Sequence, residues 1–112
     1  MLAANENNPP SHAEAIRKLM AHHALAMTEV DLWELHEAYA VTTLYNQAQL
    51  ETPWDITNVN GGAVALGHPY GMSGIRYLGS TLLELGRRAK RRAVIGVCTA
   101  GGMATAAYLE RV

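Results

Sequence analysis

Residues 58–74 read NVNGGAVALGHPYGMSG, and this stretch decides how the rest of the chain is interpreted. It contains five glycines, one proline and one histidine, His68. Glycine loses more conformational entropy on folding than any other residue, so a loop this rich in glycine is costly to order. We therefore interpret it as a loop whose backbone must approach a bound molecule closely, with the His68 imidazole beside a substrate carbonyl. The alternative is a loop histidine whose nitrogens are satisfied by backbone carbonyls.

The only cysteine of the chain, Cys98, lies in a second glycine-containing stretch, residues 96–103, which read GVCTAGGM. The pattern predicts that Cys98 ends a strand and that Gly101 and Gly102 form a turn after it. Free backbone N–H groups at such a turn lower the pKa of a thiol or hold an oxyanion, which makes Cys98 a candidate for acyl chemistry. Cys98 could equally be a small buried hydrophobic residue.

A third candidate stretch, residues 36–40, reads HEAYA and follows a predicted strand at 30–35. Sites in α/β folds lie at the carboxyl ends of strands, which makes His36 a candidate site residue. His36 could equally cap the next helix, and Glu37 could equally be a first-turn acid that offsets the helix dipole. The spacing of the histidines and the cysteine matches no common metal-binding pattern, so we predict no metal.

Helical and strand patterns alternate along the chain, which predicts an α/β domain. A polar arm or linker over residues 1–10 precedes a domain over residues 11–112, whose first helix begins with a capping box between Ser11 and Glu14. The later elements are a strand at 30–35, a helix at 37–50, a helix from residue 73 into the basic run 87–92, and strands at 92–99 and 103–110.

The predicted architecture is a layered α-β-α domain with a mixed sheet of about three strands. Such a sheet is thin, and the apolar strand at 92–99 is of a type that has neighbours on both edges. We therefore expect another chain, or a copy of this one, to complete the sheet. Leu78, Leu82 and Leu85 share one helical face and are predicted to lie in the core.

Composition narrows the class of protein further. The 112 residues suit one small domain, and 49% hydrophobic with 17% charged residues predicts a packed globular fold. A net charge of −1 gives no indication of a nucleic-acid or membrane-surface partner. No signal peptide or membrane-spanning run is recognised, and a single cysteine excludes an internal disulfide, so the cytoplasm is the expected location. The basic run 87–92 is interpreted as the end of a helix, with an anionic cofactor phosphate as the alternative partner.

Together, the three stretches resemble the C-terminal part of a thiolase. Residues 58–74 resemble the family's glycine-histidine-proline motif, residues 96–103 its second cysteine motif, and residues 36–40 its Asn/His-Glu-Ala-Phe motif. The motifs occur in the family's order, and the resemblance extends from about residue 10 to residue 112. It implies a thiolase-like fold, of which this chain holds an incomplete domain.

The resemblance also implies a reaction. Thiolases condense acyl-CoA units or cleave 3-ketoacyl-CoA, so coenzyme A is expected as a substrate, with no separate cofactor. By resemblance, His68 would activate a nucleophilic cysteine and help hold the thioester oxygen. Cys98 would move the proton at the carbon alpha to the carbonyl. His36 stands where many thiolases have an asparagine that orients a water in an oxyanion hole.

Further positions are implied to contact the substrate. The backbone of Ala100 and Gly101 would contribute to an oxyanion hole. Gly67, Met72 and Met103 would border an acyl-CoA site, although packing in the core is the simpler role for the two methionines.

One departure from the family is central to the interpretation. The cysteine that accepts the acyl group belongs to the N-terminal half of thiolases, and Cys98 matches the other cysteine. We therefore expect an oligomer in which a second chain supplies that half. The alternatives are a non-catalytic thiolase-like subunit, for assembly or for binding CoA thioesters, and a piece of a longer enzyme.

Overall fold

The structure is a computed structural model that describes residues 12–99 and 101–112, and the backbone of residues 2 and 3. Its strands are β1 (Leu2–Ala3), β2 (Leu32–Leu35), β3 (Arg92–Thr99) and β4 (Met103–Glu110). Its helices are α1 (His12–His22), α2 (Ala40–Leu50), α3 (Ala63–Leu66) and α4 (Ser73–Arg87), with single 3₁₀ turns at Met27–Glu29 and Trp54–Ile56.

The strands form one mixed sheet in the order β1-β4-β3-β2. β2 runs parallel to β3, and β3 and β4 form an antiparallel hairpin around the turn that contains Gly101 and Gly102. The α/β class, the mixed sheet of three principal strands and the hairpin are therefore as the sequence predicts. The two residues of β1 add a short fourth strand on the outer edge of β4, inside the segment that was predicted to be an arm.

The helix boundaries depart from the sequence patterns in two places. α2 begins at Ala40 rather than at Glu37, because the backbone up to Tyr39 is extended. The glycine-rich loop contains the one-turn helix α3, which the sequence analysis did not predict. Ser11, the first residue of the predicted capping box, lies outside the described residues, as does most of the arm.

The face of the sheet under α1 carries the larger apolar cluster. α1 lies close to the strands because Gly96 has no side chain: a Cβ there would lie 2.8 Å from Cδ1 of Ile16. The buried cluster on this face comprises Ala13, Ile16, Met20, Val30, Trp33, Leu35, Leu50 and Val94. This face is therefore packed as an ordinary hydrophobic core.

The opposite face packs against α4 and buries a smaller apolar cluster of Leu32, Leu85 and Ala93. The sequence predicted that Leu78, Leu82 and Leu85 all lie in the core, but only Leu85 does. Leu82 is 50% exposed, and Leu78 also lies on the surface. The rest of the buried face of α4 is polar or aromatic, formed by Ser73, Tyr77, Thr81 and Glu84.

The basic run is held by carboxylates. Arg87 and Arg88 both pair with Glu84, and this is consistent with the helix-end interpretation. The remaining contacts join Lys90 to Asp31, Arg91 to Glu110, and Arg92 to Glu29 and Glu110. These ion pairs therefore connect the basic run to the residues just before β2 and to the end of β4.

Candidate active site

The glycine-rich loop is anchored to the end of β2 by the side chain of Asn58. Its Oδ1 accepts the backbone N–H of Leu35 at 2.8 Å, and its Nδ2 donates to the Leu35 carbonyl at 2.9 Å. The amide thus continues the backbone hydrogen bonding of β2 into the loop. The start of the loop is thereby fixed relative to the sheet, and the residue after Leu35 is His36.

The carboxylate of Glu37 holds the next part of the loop. Its Oε2 accepts the backbone N–H of Val64 at 2.9 Å, in the first turn of α3, and its Oε1 accepts from Asn58 Nδ2 at 3.0 Å. The carboxylate lies against Gly62, where a Cβ would come within 2.2 Å of Glu37 Cδ. Glu37 is therefore a loop support and not a first-turn acid of α2.

His68 follows Gly67, whose φ of 84° ends α3 in a conformation that favours glycine. His68 Nδ1 lies 2.8 Å from the Ser73 hydroxyl oxygen, and that hydroxyl lies 3.0 Å from the Pro69 carbonyl. A carbonyl only accepts, so the single hydroxyl proton of Ser73 is donated to Pro69. Ser73 must then accept from His68 Nδ1–H, which leaves Nε2 of a neutral His68 with a free lone pair.

His36 lies beside His68, with 4.2 Å between the two ring centroids. Its backbone N–H donates to the Gly96 carbonyl at 2.9 Å, which fixes the residue at the carboxyl edge of the sheet. Its ring is 1% exposed, and Nδ1 lies 2.8 Å from the Tyr77 hydroxyl. Burial, together with the neighbouring His68, lowers the pKa of His36 to about 4. His36 is therefore neutral near pH 7.

Cys98 lies at the carboxyl end of β3, paired with Ala104 across the hairpin. Strand alternation gives its side chain the same face as Val94 and Gly96. The thiol is half-buried, and burial raises its pKa, so it is protonated at neutral pH. Hydrogen bonds among the described residues do not connect Cys98 to His36 or His68.

The remaining predicted site residues lie around the two glycine turns. Gly101 is exposed and has a φ of 71°, whereas Ala100 lies outside the described residues. Met72 immediately precedes α4 and is 44% exposed. Met103 begins β4 and is half-buried. Their substrate contacts stay predictions.

Sequence reasoning missed four residues around the histidines: His12, Glu34, Ser73 and Tyr77. His12 is fully buried, with its ring centroid 6.4 Å from that of His36, and burial lowers its pKa to about 4. Burial, reinforced by Glu37, raises the pKa of Glu34 to about 7. No motif marks His12 or Tyr77, whereas the five-residue separation of Ser73 from His68 across a proline turn is a usable signal.

Residues 12–99 and 101–112 contain neither a metal-binding group of side chains nor a membrane-spanning helix. In that part of the chain, no three His, Cys, Asp or Glu side chains are grouped as a metal ion would require. In the same part, no helix is both long enough and apolar enough to cross a bilayer.

The parallel strands β2 and β3 bring His36 and Cys98 to one edge of the sheet, and the glycine-rich loop adds His68. The three stretches that the sequence analysis singled out therefore meet at the carboxyl ends of the strands of an α/β domain. The family model described as "Thiolase, C-terminal domain" matches residues 6–111 of this chain. The chain belongs to the thiolase family.

Individual relatives agree with this assignment. The chain is 48% identical over 98 residues to acetyl-CoA acetyltransferase 2 of Arabidopsis thaliana. The matched segment covers 88% of this chain and 24% of that protein. It is 39% identical to the mitochondrial acetyl-CoA acetyltransferase B of Xenopus laevis, covering 93% and 24%. The chain therefore spans about a quarter of the length of these relatives.

Solved structures show the same fold. Human mitochondrial 3-ketoacyl-CoA thiolase superposes with a TM-score of 0.87 at 37% identity, covering 89% of this chain and 25% of that one. The acetyl-CoA acetyltransferase of Bacillus anthracis gives 0.87 at 35% identity, with the same coverage. The thiolase-like layered fold predicted from the motifs is confirmed, and the chain corresponds to one part of it.

Proposed function

We propose that this chain is the C-terminal catalytic portion of a thiolase-type acyltransferase. It acts on 3-ketoacyl-CoA by thiolytic cleavage or on acyl-CoA by Claisen condensation, with coenzyme A as a substrate and no further cofactor. The observation that carries the proposal is the pair of histidines, His36 and His68, whose ring centroids lie 4.2 Å apart at the sheet edge where the strand of Cys98 ends. The acetyltransferase names of the relatives support the same reaction class.

The free lone pair on His68 Nε2 suits a general base. In the proposed cycle it takes the thiol proton of an acyl-accepting cysteine that lies outside these 112 residues. The thiolate then attacks the 3-keto carbon of the substrate. The Ser73–Pro69 contacts hold Nδ1–H in place, so the tautomer of His68 is preset for this role.

Cys98 would handle the second proton. As the bond between C2 and C3 of the substrate breaks, the protonated Cys98 thiol gives its proton to C2, and acetyl-CoA leaves. The resulting Cys98 thiolate takes a proton from the incoming coenzyme A thiol, which attacks the acyl-enzyme. Acyl-CoA leaves, and the released cysteine thiolate recovers its proton from His68. A pKa raised by burial keeps Cys98 in the protonated form that the first of these steps needs.

Oxygen atoms that become negatively charged during these steps need hydrogen-bond donors to stabilise the charge. In this proposal, His36 serves one such oxygen, and the backbone N–H groups of Ala100 and Gly101 serve another. Gly67, Met72 and Met103 would border the acyl-CoA. These assignments follow the family resemblance and the positions of the two glycine turns.

A second chain is proposed to supply the acyl-accepting cysteine and most coenzyme A contacts. Exposed apolar side chains on α2, α3 and α4 support this part of the proposal, because a large exposed apolar surface often marks a site that a partner covers. They are Val41 and Leu44 on α2, Val64 and Leu66 on α3, and Ile75, Leu78, Leu82 and Leu83 on α4. The cytoplasm remains the proposed location.

The first experiment is native mass spectrometry of the protein purified from its own source through a C-terminal tag. We expect a stoichiometric partner with a reactive cysteine, and acetoacetyl-CoA thiolysis by the assembly. His68→Ala and Cys98→Ser are each expected to reduce turnover about 100-fold or more. The matched control is His22→Gln, which changes an exposed histidine on α1. Full turnover in the two site variants would refute the assignment.

The non-catalytic alternative is favoured by one observation. Hydrogen bonds among the described residues do not connect the Cys98 thiol to His36 or His68, so neither histidine activates it within this chain. A subunit for assembly or for binding CoA thioesters would bind acyl-CoA without turnover. The non-catalytic alternative is accepted if the protein is purified without a bound partner and does not cleave acetoacetyl-CoA.

A further inference from the structure

Tyr77 lies one helical turn after Ser73 on α4, at the interface between α4 and the sheet. It is 2% exposed, and its ring meets the His36 ring edge-on, with 5.5 Å between centroids and 71° between planes. Its hydroxyl lies 2.8 Å from Nδ1 of His36. A phenylalanine would fill the same space, so packing alone does not account for the hydroxyl.

The direction of this hydrogen bond follows from the chemistry of the two groups. A phenol oxygen shares its lone pairs with the ring and accepts weakly, whereas its O–H donates well and an imidazole nitrogen accepts well. Burial raises the pKa of Tyr77, so the hydroxyl keeps its proton. With Tyr77 donating to Nδ1, the single proton of a neutral His36 ring is on Nε2.

The other nitrogen of His36 is then an unused donor. His36 Nε2 is buried and has no hydrogen-bond partner among the described residues. A buried polar group without a partner destabilises the folded state, and a bound acceptor would remove that cost. The neighbouring His68 has the opposite tautomer, since its Nδ1–H donates to Ser73 and its Nε2 carries a lone pair.

We propose that Tyr77 is a positioning residue that holds His36 as the Nε2–H tautomer, so that His36 presents an N–H donor, and not a second acceptor, beside the His68 base. The inference rests on the proposed function and deepens it. Without the Tyr77 hydroxyl, the His36 proton could occupy either nitrogen, and the Nδ1–H form would leave the site with two acceptors and no side-chain donor at this point. The tautomer of His36 would then limit the reaction.

The first test measures the tautomer directly. In the full chain labelled with ¹⁵N, imidazole ¹⁵N shifts distinguish Nδ1–H from Nε2–H histidine. We expect His36 to be Nε2–H in the wild type, and Tyr77→Phe to convert it to a mixture of tautomers. Tyr45→Phe, which removes a hydroxyl from a half-buried tyrosine on α2, is expected to leave His36 unchanged.

Two results would overturn the inference. The first is an Nδ1–H His36 in the wild type, a result that does not depend on the folding of any variant. The second is an unchanged His36 tautomer in a folded Tyr77→Phe protein. Neither result depends on catalytic activity, so the inference can fail while the proposed function stands.

The second test uses the assembled enzyme. Tyr77→Phe is expected to lower kcat for acetoacetyl-CoA thiolysis about 10-fold with KM changed less than about 2-fold, because the donor acts mainly on charge that develops in the transition state. Tyr45→Phe should retain wild-type values. An unchanged kcat in a variant with an altered His36 tautomer would show that the tautomer does not matter. Absence of turnover in the wild-type assembly would instead refute the proposed function.

Discussion

The face of the sheet that packs against α1 and the face that packs against α4 bury different kinds of side chain. Under α1 lies a closed apolar cluster that includes Trp33 and Leu35, each at most 1% exposed. Under α4 the apolar cluster has only three buried members, and Tyr77 and Glu34 are buried beside it. The α1 face therefore holds the larger apolar core, whereas the α4 face carries the tyrosine that is hydrogen-bonded to His36.

The largest effect expected from this comparison is on stability. Leu35→Ala removes a fully buried side chain from the α1 face and is expected to lower the free energy of unfolding by about 2–5 kcal/mol. Leu83→Ala is the matched control, since Leu83 on α4 is 72% exposed and should change stability by less than about 0.5 kcal/mol. Urea denaturation measures both. Equal losses would show that the buried Leu35 side chain stabilises the fold no more than an exposed leucine does.

The α1 face also contains a buried histidine that makes it sensitive to acid. The pKa of His12 falls from 6.5 to about 4 on folding, because burial disfavours the charged ring. Between these values the unfolded chain binds a proton that the folded chain does not, so stability is lost as the pH falls from 6.5 towards 4. His12 accounts for roughly 3 kcal/mol of that loss.

The variant that tests this is His12→Leu, compared with His22→Gln on the exposed end of α1. We expect His12→Leu to make the dependence of unfolding free energy on pH shallower, because only His36 then contributes a strongly lowered histidine pKa. His22→Gln should leave the slope as in the wild type. An unchanged slope in His12→Leu would mean that His12 is protonated in the folded state at these pH values.

The α4 face has the opposite pH dependence through Glu34. Burial first, and then Glu37, raises the pKa of Glu34 from 4.5 to about 7. The folded chain therefore holds a proton that the unfolded chain releases, and stability is lost as the pH rises from 4.5 through 7, by roughly 3 kcal/mol. Glu34→Gln should remove this contribution and make the acid loss due to the histidines steeper.

The control for Glu34→Gln is Glu14→Gln, on the exposed side of α1. Unfolding free energies of both variants between pH 4 and pH 8 give the two slopes. A Glu14→Gln slope equal to the wild-type slope, with a steeper one for Glu34→Gln, supports opposite behaviour of the two faces. Identical slopes for both variants would show that Glu34 is ionised throughout.

The contrast between the faces also explains what the sequence could predict. The strands and the motifs were predictable because β2, β3 and the glycine-rich loop each have a local sequence pattern. Of the three leucines predicted to lie in the core, Leu85 does so. The error at Leu78 and Leu82 arose because periodicity identifies an apolar face without showing what it packs against. In this chain the polar and aromatic face of α4 packs on the sheet, and the apolar face points outwards.

The parts of the candidate site that could not be predicted depend on contacts between distant residues. Glu37 is the first residue of the predicted helix, but its carboxylate accepts the N–H of Val64, 27 residues away, and α2 begins at Ala40. His12 has no motif around it, and only the packing of α1 on Gly96 brings its ring towards His36. Tyr77 lies in a leucine-rich helix and gives no local sign of its bond to His36.

The smallest expected effect on stability distinguishes two glycines, Gly62 in the glycine-rich loop and Gly79 in α4. Gly62→Ala would place a Cβ within 2.2 Å of Glu37 Cδ and displace the carboxylate from Val64 and Asn58, at a cost of roughly 2 kcal/mol. Gly79→Ala has open space on α4 and should stabilise the protein by about 0.5–1 kcal/mol. Thermal unfolding measures both changes. If Gly62→Ala is as harmless as Gly79→Ala, Glu37 does not hold the loop, and the placement of His68 must depend on the Asn58 and Ser73 contacts.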